Sequence, residues 1–473
     1  MKILLTSGFI PGRKSRSPIV RGFFPPLGLG YIAAVLEKEG YKVEIYHCLA
    51  LNCSANEIVD YILHREPDII GISVMSPNYE GAREMLNLIK KKRNIPIIFG
   101  GPHCSLFPVR TMEECQALDF LIYGEGEFIF PMLIEAIMGK IPYNNIPQLC
   151  FRETNGRITL NKQELLNQDL DIIPIPAWHL FNRDLYSHNV GSCITSRGCS
   201  YGKCAFCFRT EFLYDKYRRR SVENVIKELE FLCKKFSLKK IVFLDDNFAQ
   251  DEEWVIRFCE MLKQRKLKLK WFCNARVDTI TRKMIKNMAE AGCFWIGYGL
   301  ESGSQDLLDY INKGILIEQI KEVIKLSKVF GIKVYGYFML ALPKETPEIG
   351  RRTVQFAIDL DLDLVQFAPV RPLFGTKLYD LCKNEGEILN SSYEFYDTSN
   401  LGPYLIPKIN FVPKDYKDKR AVSKMIRFAY RRFYLRYSCI WKLLLDSIED
   451  RDPSIRFVDQ LRLFKNLIFY KST

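Results

Sequence analysis

Short apolar runs alternate with stretches whose apolar residues recur every three or four positions over most of the 473-residue chain. The first run, Lys2 to Thr6, predicts a buried strand. Residues Pro25 to Gly40 open on prolines and close on a glycine, the punctuation of a helix, and Lys42 to Tyr46 follows as a strand. The rhythm continues with strands at Asp68 to Val74, Pro96 to Gly100 and Phe120 to Tyr123, and with helices at Tyr79 to Arg93 and after Gly126. This alternation predicts an α/β fold beginning with a doubly wound parallel sheet, whose ligands sit at the carboxyl ends of its strands. Residues 144–189, with Pro174 and Pro176, read as an extended connector.

From Ser221 the pattern resumes with a helix to Lys235 whose Val225, Ile226, Leu229 and Leu232 share a face. Strands are expected at Lys240 to Leu244, Lys270 to Asn274, Trp295 to Leu300, Lys333 to Leu340 and Leu364 to Ala368. With one more before Cys199 they make six, a partial (β/α)6 barrel with its site at the carboxyl strand ends. Beyond Gly386 the alternation stops. There Arg420, Lys424, Arg427 and Arg431 fall on one face of a helix, and Val422, Met425, Ala429 and Phe433 on another. The expected organisation is therefore an N-terminal sheet domain (1–143), a linker (144–189), a barrel (190–385) and a helical basic C-terminal region (386–473).

Composition narrows the class. With 48% apolar residues the chain can bury a core in two or three domains. Met1 to Leu5 begins an ordinary strand rather than a leader, and no run of eighteen apolar residues occurs, so a cytoplasmic location is expected. Fifteen cysteines in such a chain point to reduced thiols and metal. Cys233, Cys259 and Cys293, alone in apolar contexts, read as core. Between Lys414 and Lys471 fifteen Lys and Arg stand against seven Asp and Glu, so this region supplies +8 of the net +13. The basic-plus-aromatic motifs of nucleic-acid binders are absent, and no nucleic-acid partner is expected. The aromatic cluster Phe428, Tyr430, Phe433, Tyr434, Tyr437 and Trp441 among these arginines fits an ordinary docking helix with a solvated basic face. It also fits a peripheral membrane contact, a cover for substrate or a dock for a redox partner.

The chemistry centres on Ser196 to Arg209. Cys199, Cys204 and Cys207 stand as C-x4-C-x2-C, close enough for three thiolates to hold an iron–sulfur cube with one iron open to a ligand. A zinc knuckle or buried free thiols are the alternatives, although zinc lacks a fourth Cys or His nearby. At the barrel strand ends, Glu301 is a natural acceptor for two ribose hydroxyls and Arg276 a partner for a carboxylate. Equally, Asp245 or Asp246 could cap the next helix, and Arg276 could pair with Asp278. In the N-terminal domain the strand ends carry Ser73-Val-Met-Ser76, Gly100-Gly-Pro-His-Cys-Ser105 and Tyr123-Gly-Glu-Gly-Glu127. These suit close approach of a ligand to the backbone, and equally suit tight strand-to-helix turns.

Taken together, the cysteine loop with Phe206 and the downstream strands resemble the radical S-adenosylmethionine (SAM) superfamily, whose usual spacing is C-x3-C-x2-C. Here one extra residue separates the first two cysteines, and Cys193 is a second candidate for the first ligand. With Pro25-Pro-Leu-Gly-Leu in front, the N-terminal strand ends look like the cobalamin-binding domain of one subgroup, and the likeness runs to about residue 385. The resemblance implies a four-iron four-sulfur cluster on Cys199, Cys204 and Cys207. It implies SAM against Phe206, Asp245, Arg276, Glu301 and Ser302. It also implies cobalamin against Leu27, Ser73, Ser76, Gly100, Gly101, His103, Gly124 and Glu125, without the D-x-H-x-x-G motif that supplies a histidine to cobalt. Ala341 and Lys344, in Phe338 to Thr346, stand where the subgroup often has glycines. The implied activity is cleavage of SAM to a 5′-deoxyadenosyl radical and methylation of an unactivated carbon. Radical cyclisation, rearrangement or oxidation is the alternative, and a non-catalytic cobalamin sensor with a structural cluster is a third reading. A small-molecule, lipid or peptide substrate and an electron donor such as flavodoxin or ferredoxin would be the partners.

Overall fold

The computed structural model describes residues 1–11, 24–48, 53–162, 169–182, 185–186, 190–207, 217–389 and 409–441. Asn189, Arg209 and residues 390–408 and 442–473, on which parts of the expected linker, cysteine stretch and C-terminal region fall, lie outside the described residues. The chain divides into two compact units, Met1–His188 with Glu211–Arg220, and Asn189–Thr210 with Ser221–Thr473.

In the first unit, β1 (Lys2–Ser7), α1 (Leu27–Lys38), β2 (Lys42–Tyr46), α2 (Ala55–His64), β3 (Ile69–Ser73), α3 (Tyr79–Lys92) and β4 (Ile97–Gly100) follow in alternation. Two short helices, α4 (Pro102–Leu106) and α5 (Pro108–Glu114), then precede β5 (Phe120–Ile122) and α6 (Ile129–Ile137). The strands run β2-β1-β3-β4-β5, parallel throughout, and the order reverses between β1 and β3. Such a reversal opens a crevice beyond the carboxyl strand ends, where ligands of doubly wound sheets bind. Near-continuous apolar strands suit burial on both faces: Ile3, Leu5, Ile69, Ile98 and Ile122 pack against Leu29, Ala33, Phe130 and Leu133 of α1 and α6.

Two elements depart from the expected pattern. Helix α2 was not anticipated, although Ser54 and Glu57 form a complete capping box at its start. Part of the expected connector is sheet: β6 (Leu149–Arg152) pairs antiparallel with β5, and β7 (Ile158–Leu160) antiparallel with β6. Leu149, Cys150 and Phe151 are buried, so this hairpin extends the first core.

The second unit is built on β8 (Val190–Cys193), which ends just before the cysteine loop, with the short strand β9 (Ser196–Arg197) after it; the strand β10 (Arg218–Arg219) lies in the segment that belongs to the first unit. Then come α7 (Val222–Phe236), β11 (Lys240–Phe243), α8 (Glu252–Gln264), β12 (Lys270–Ala275), α9 (Arg282–Glu290) and β13 (Cys293–Glu301). After α10 (Gln305–Tyr310) and α11 (Ile317–Val329), β14 (Lys333–Leu340), α12 (Pro347–Asp359), β15 (Leu364–Pro369) and α13 (Lys377–Glu385) complete the series. Six parallel strands, β15-β14-β13-β12-β11-β8, make the expected partial barrel. Five of its helices start on side-chain caps: Ser221, Asp251, Thr281, Thr346 and Thr376 each accept from a backbone N–H of the first turn.

A small hairpin of β16 (Gly386–Ile388) and β17 (Phe411–Pro413) leads to α14 (Lys419–Tyr434). The apolar face expected there, Val422, Met425, Ala429 and Phe433, is buried with Ile426, Tyr430 and Tyr434, and packs on β15 and α12. The Tyr434 hydroxyl lies 2.6 Å from Val365 O and 3.0 Å from Val365 N, on the edge strand of the sheet.

Candidate functional site

Cys199, Cys204 and Cys207 are partly exposed, whereas Cys193 is buried on β8. Backbone bonds fix the loop that carries the three. Ser200 N donates to Gln250 Oε1 at 2.6 Å, Asn312 Nδ2 to Lys203 O at 2.9 Å, Ala205 N to Ile311 O at 2.9 Å, and Leu378 N to Ala205 O at 2.8 Å. Ala205 is the anchor, buried among Leu307, Ile311, Leu342, Val370 and Leu378. Among the described residues no three His, Cys, Asp or Glu side chains stand as the donors of a single ion would. A cube takes each thiolate on a different iron and does not need the three to meet at one point.

Beside this loop the barrel's strand ends assemble a charged network. The Arg276 guanidinium lies 4.0 Å from the Tyr201 ring centroid and points Nη1 at Cys204 Sγ, 3.6 Å away. It is gripped by Asp278 through two bonds of 2.9 and 2.8 Å, and Nη2 also donates to Lys313 O at 2.8 Å. Burial works against the Arg276 charge, but Asp278 and the neighbouring thiols Cys204 and Cys199 outweigh it and raise its pKa. Burial likewise pushes the Cys204 thiol up, opposed by Lys313 and Arg276. Lys313 Nζ donates to Glu301 Oε1 at 2.8 Å and stands 5.4 Å from the centre of the Phe206 ring. Both partners of this ion pair are buried.

Phe206, Arg276 and Glu301, expected from the sequence, are thus brought together with Cys204. Lys313 was missed; its only signal is a lysine before Gly314 twelve residues beyond Glu301, which reads as surface. Bare backbone at Gly299 makes room for the pair, since a Cβ there would come within 2.7 Å of Glu301 Oε1 and 2.8 Å of Lys313 Nζ. An acceptor, two cations and an aromatic ring next to three thiols fit a cluster with a nucleoside ligand that carries an amino acid.

Two further expected residues, Asp245 and Ser302, make bonds within the scaffold. The buried Asp245 carboxylate accepts from Thr195 N and Oγ1 and from Ser196 Oγ, tying the end of β8 to the end of β11; the cap of α8 is Asp251. Ser302 is fully buried, with its Oγ 3.3 Å from Thr353 Oγ1 and accepting from Ser304 N.

Glu301, Ala341 and Lys344 have φ of 59°, 61° and 66°. That left-handed conformation explains why glycines suit the last two positions. Ala341 N donates to Glu345 Oε1 at 2.7 Å, and the Tyr416 hydroxyl donates to the same oxygen at 2.9 Å. Burial raises the Glu345 pKa to about 7.

In the first unit the expected strand ends are neighbours. Val74 N donates to Gly100 O at 2.7 Å, and Gly124 N to Ser105 Oγ at 2.8 Å. Gly101, at φ 98°, lies against Val74 O and Ser73 Oγ, so a side chain there would collide with the end of β3. Beside Gly28 the space a Cβ would occupy is open, and at Gly100 it would meet only Ile122 O, at 3.7 Å. The His103 imidazole is buried, stacked on Tyr79 at 4.1 Å, with Nδ1 3.1 Å from Ser76 Oγ. Burial lowers its pKa to about 3, so the ring is neutral. His47 lies 2.6 Å from the Tyr186 hydroxyl, and burial lowers its pKa to about 4. Leu27 is buried at the start of α1, and the Glu125 carboxylate is paired with Arg218. Open glycine backbone and small hydroxyls at a switch point fit a nucleotide-like tail.

Residues 20–134 match the B12 binding domain, and residues 193–357 the radical SAM superfamily. An uncharacterized methyltransferase of Pyrococcus horikoshii is 33% identical over 440 residues, covering 92% of this chain and 93% of its own. The chain belongs to the B12-binding radical SAM enzymes. Other relatives in this family are a cytidylyl-2-hydroxyethylphosphonate methyltransferase of Streptomyces wedmorensis, 27% identical over 76% of this chain and 78% of its own, and an anaerobic magnesium-protoporphyrin IX monomethyl ester cyclase of Rubrivivax gelatinosus, 26% identical over 90% and 76%. The fold is shared with the radical SAM methyltransferase TsrM from Kitasatospora setae, at a TM-score of 0.67 and 20% identity over 77% of this chain and 72% of that one. It is also shared with the cobalamin-dependent radical SAM enzyme OxsB, at 0.66 and 24% over 81% and 55%.

Proposed function

We propose that this radical SAM enzyme methylates an unactivated carbon with cobalamin as the methyl carrier. The observation that carries the radical chemistry is the network of Cys204, Arg276, Lys313 and Glu301 beside Phe206; methyl transfer is supported by the methyltransferases among its relatives. When bound, the cluster with SAM supplies a 5′-deoxyadenosyl radical, and cobalamin supplies the methyl group that a substrate radical takes up. Cys199, Cys204 and Cys207 would hold the cluster. Arg276, locked by Asp278, keeps a fixed positive charge beside the thiolates and stabilises their ionised form. Lys313 orients Glu301 through Oε1 and leaves Oε2 to accept from ribose hydroxyls, while Phe206 offers an apolar face to a base. In the other unit Ser73, Ser76, Gly100, Gly101 and Gly124 would line the cobalamin tail. His103, committed to Ser76 and Tyr79, would leave cobalt without a protein imidazole.

Anaerobic reconstitution followed by incubation with methyl-labelled SAM and a reductant tests this reading. Label is expected in a carbon-bound methyl of the product, with 5′-deoxyadenosine formed; 5′-deoxyadenosine without transferred label would favour the cyclase-like alternative, which the cyclase among its relatives keeps in view. Iron analysis should give about four irons per chain, lost in Cys204→Ala. The electron paramagnetic spectrum of the cobalt(II) form should lack nitrogen splitting. Splitting that disappears in His103→Ala would reject the histidine-free arrangement.

A further inference from the structure

The outward face of α14 has no role in the radical chemistry. Its inward face is committed to β15 and α12 through Val422, Ile426, Tyr430, Phe433 and Tyr434, so the helix is rigidly presented. Outward it carries Lys424, Arg427, Arg431 and Arg432 around Phe428, and these five side chains line one shallow depression. The helix contains no acidic residue. At its carboxyl end the apolar side chains turn outward as well: Leu435, Tyr437 and Trp441 are 44%, 76% and 47% exposed, and Phe428 is 41% exposed.

We propose that this face docks the enzyme on the surface of an anionic phospholipid bilayer. Two features point to lipid. Guanidinium and ammonium groups with no interspersed carboxylates complement a negatively charged surface. Large apolar and aromatic side chains standing out among them gain nothing from water, but they insert at the headgroup level, where rings with a polar edge accumulate. The contact is peripheral, because among the described residues no helix is long and apolar enough to cross a membrane.

Sedimentation of the full-length protein with vesicles tests this without any turnover. Vesicles of phosphatidylcholine containing about a third phosphatidylglycerol should bind the protein, and pure phosphatidylcholine should not. Binding should weaken as salt rises. Because each basic residue near such a surface is worth about a fivefold change in partitioning, Lys424→Glu with Arg427→Glu should lower it by at least 25-fold. Phe428→Ser with Tyr437→Ser should also lower it, at unchanged charge. All variants change exposed or half-exposed side chains, and an unchanged melting temperature would show that they fold. Equal partition onto neutral and anionic vesicles, or charge-reversed protein that binds as before, would overturn the proposal. So would the absence of vesicle binding together with loss of reduction by flavodoxin in the charge-reversed protein, which would make the face a redox dock.

Discussion

Lys344 holds a left-handed backbone conformation in the segment that leads from β14 into α12, and Ala341 does the same three residues earlier. For an L-residue with a Cβ this costs about 1 kcal/mol. The strain persists because the ends of the segment are held: Ala341 N by Glu345, and α12 by the Thr346 cap with Pro347 at its first position. Comparing two substitutions at Lys344 isolates the backbone term, since both delete the ammonium that lies over the Tyr310 ring. Lys344→Gly should be more stable than Lys344→Ala by about 1 kcal/mol in denaturant unfolding, the reverse of the order in a helix or strand. Equal stability of the two would mean that the segment relaxes out of the conformation. At this scale the sequence was partly legible. Phe206, Arg276 and Glu301 could be picked out because motifs surround them. Lys313 could not, because the chain returns it to Glu301 only through α10 and the turn after it, a tertiary approach with no local pattern.

At the scale of elements, the C-terminal helix does for the barrel what a seventh strand would otherwise do. Strand β15 is an edge, and an edge strand presents unpaired backbone groups. Helix α14 covers it, with the Tyr434 hydroxyl against both the N–H and the C=O of Val365. Tyr434→Phe keeps the packed ring and removes that hydroxyl from a buried site. The expected loss is about 1–3 kcal/mol of unfolding free energy, measurable by denaturant titration. A change below about 0.5 kcal/mol would show that water replaces the hydroxyl. The parallel strands and their helices were readable from periodicity, because each is long and uniformly apolar or amphipathic. The β6–β7 hairpin was not, because its strands are four and three residues long and only β6 is buried, through its pairing with β5 about thirty residues earlier. The prolines of the connector, Pro174 and Pro176, and the polar turn between the two strands carried the stronger local signal. The two faces of α14 were visible from spacing, but which aromatics turn inward was decided by β15. Tyr430, Phe433 and Tyr434 are covered, while Phe428, Tyr437 and Trp441 are not.

Across the whole molecule the two buried histidines of the first unit and the buried Glu345 of the second shift in opposite directions. His47 and His103, in the first unit, have folded pKa values of about 4 and about 3, below the ordinary 6.5, in each case because burial disfavours the cation. Glu114 opposes that shift at His103, and Arg110 adds to it. As pH falls below 6.5 the unfolded chain takes up protons at these positions and the folded one does not, so the first unit loses stability down to about pH 4 through His47 and about pH 3 through His103. Glu345, in the second unit, is raised from 4.5 to about 7 by burial, only partly offset by its bonds from Ala341 N and Tyr416. Between about pH 7 and pH 4.5 the folded form holds the extra proton, so the second unit gains stability as pH falls through this window. Hydrogen exchange, corrected for the intrinsic pH dependence of exchange, reads the two units separately. Going from pH 7 to pH 5, amides of β1, β3 and β4 should lose protection while those of β13, β14 and β15 hold or gain it. Glu345→Gln keeps an acceptor for Ala341 N and Tyr416 but cannot titrate, and it should remove the barrel's gain while leaving the first unit's loss unchanged. Parallel loss of protection in both units, in the native protein and the variant alike, would show that Glu345 is not held neutral, and that carboxylates shared by the whole surface dominate the acid response.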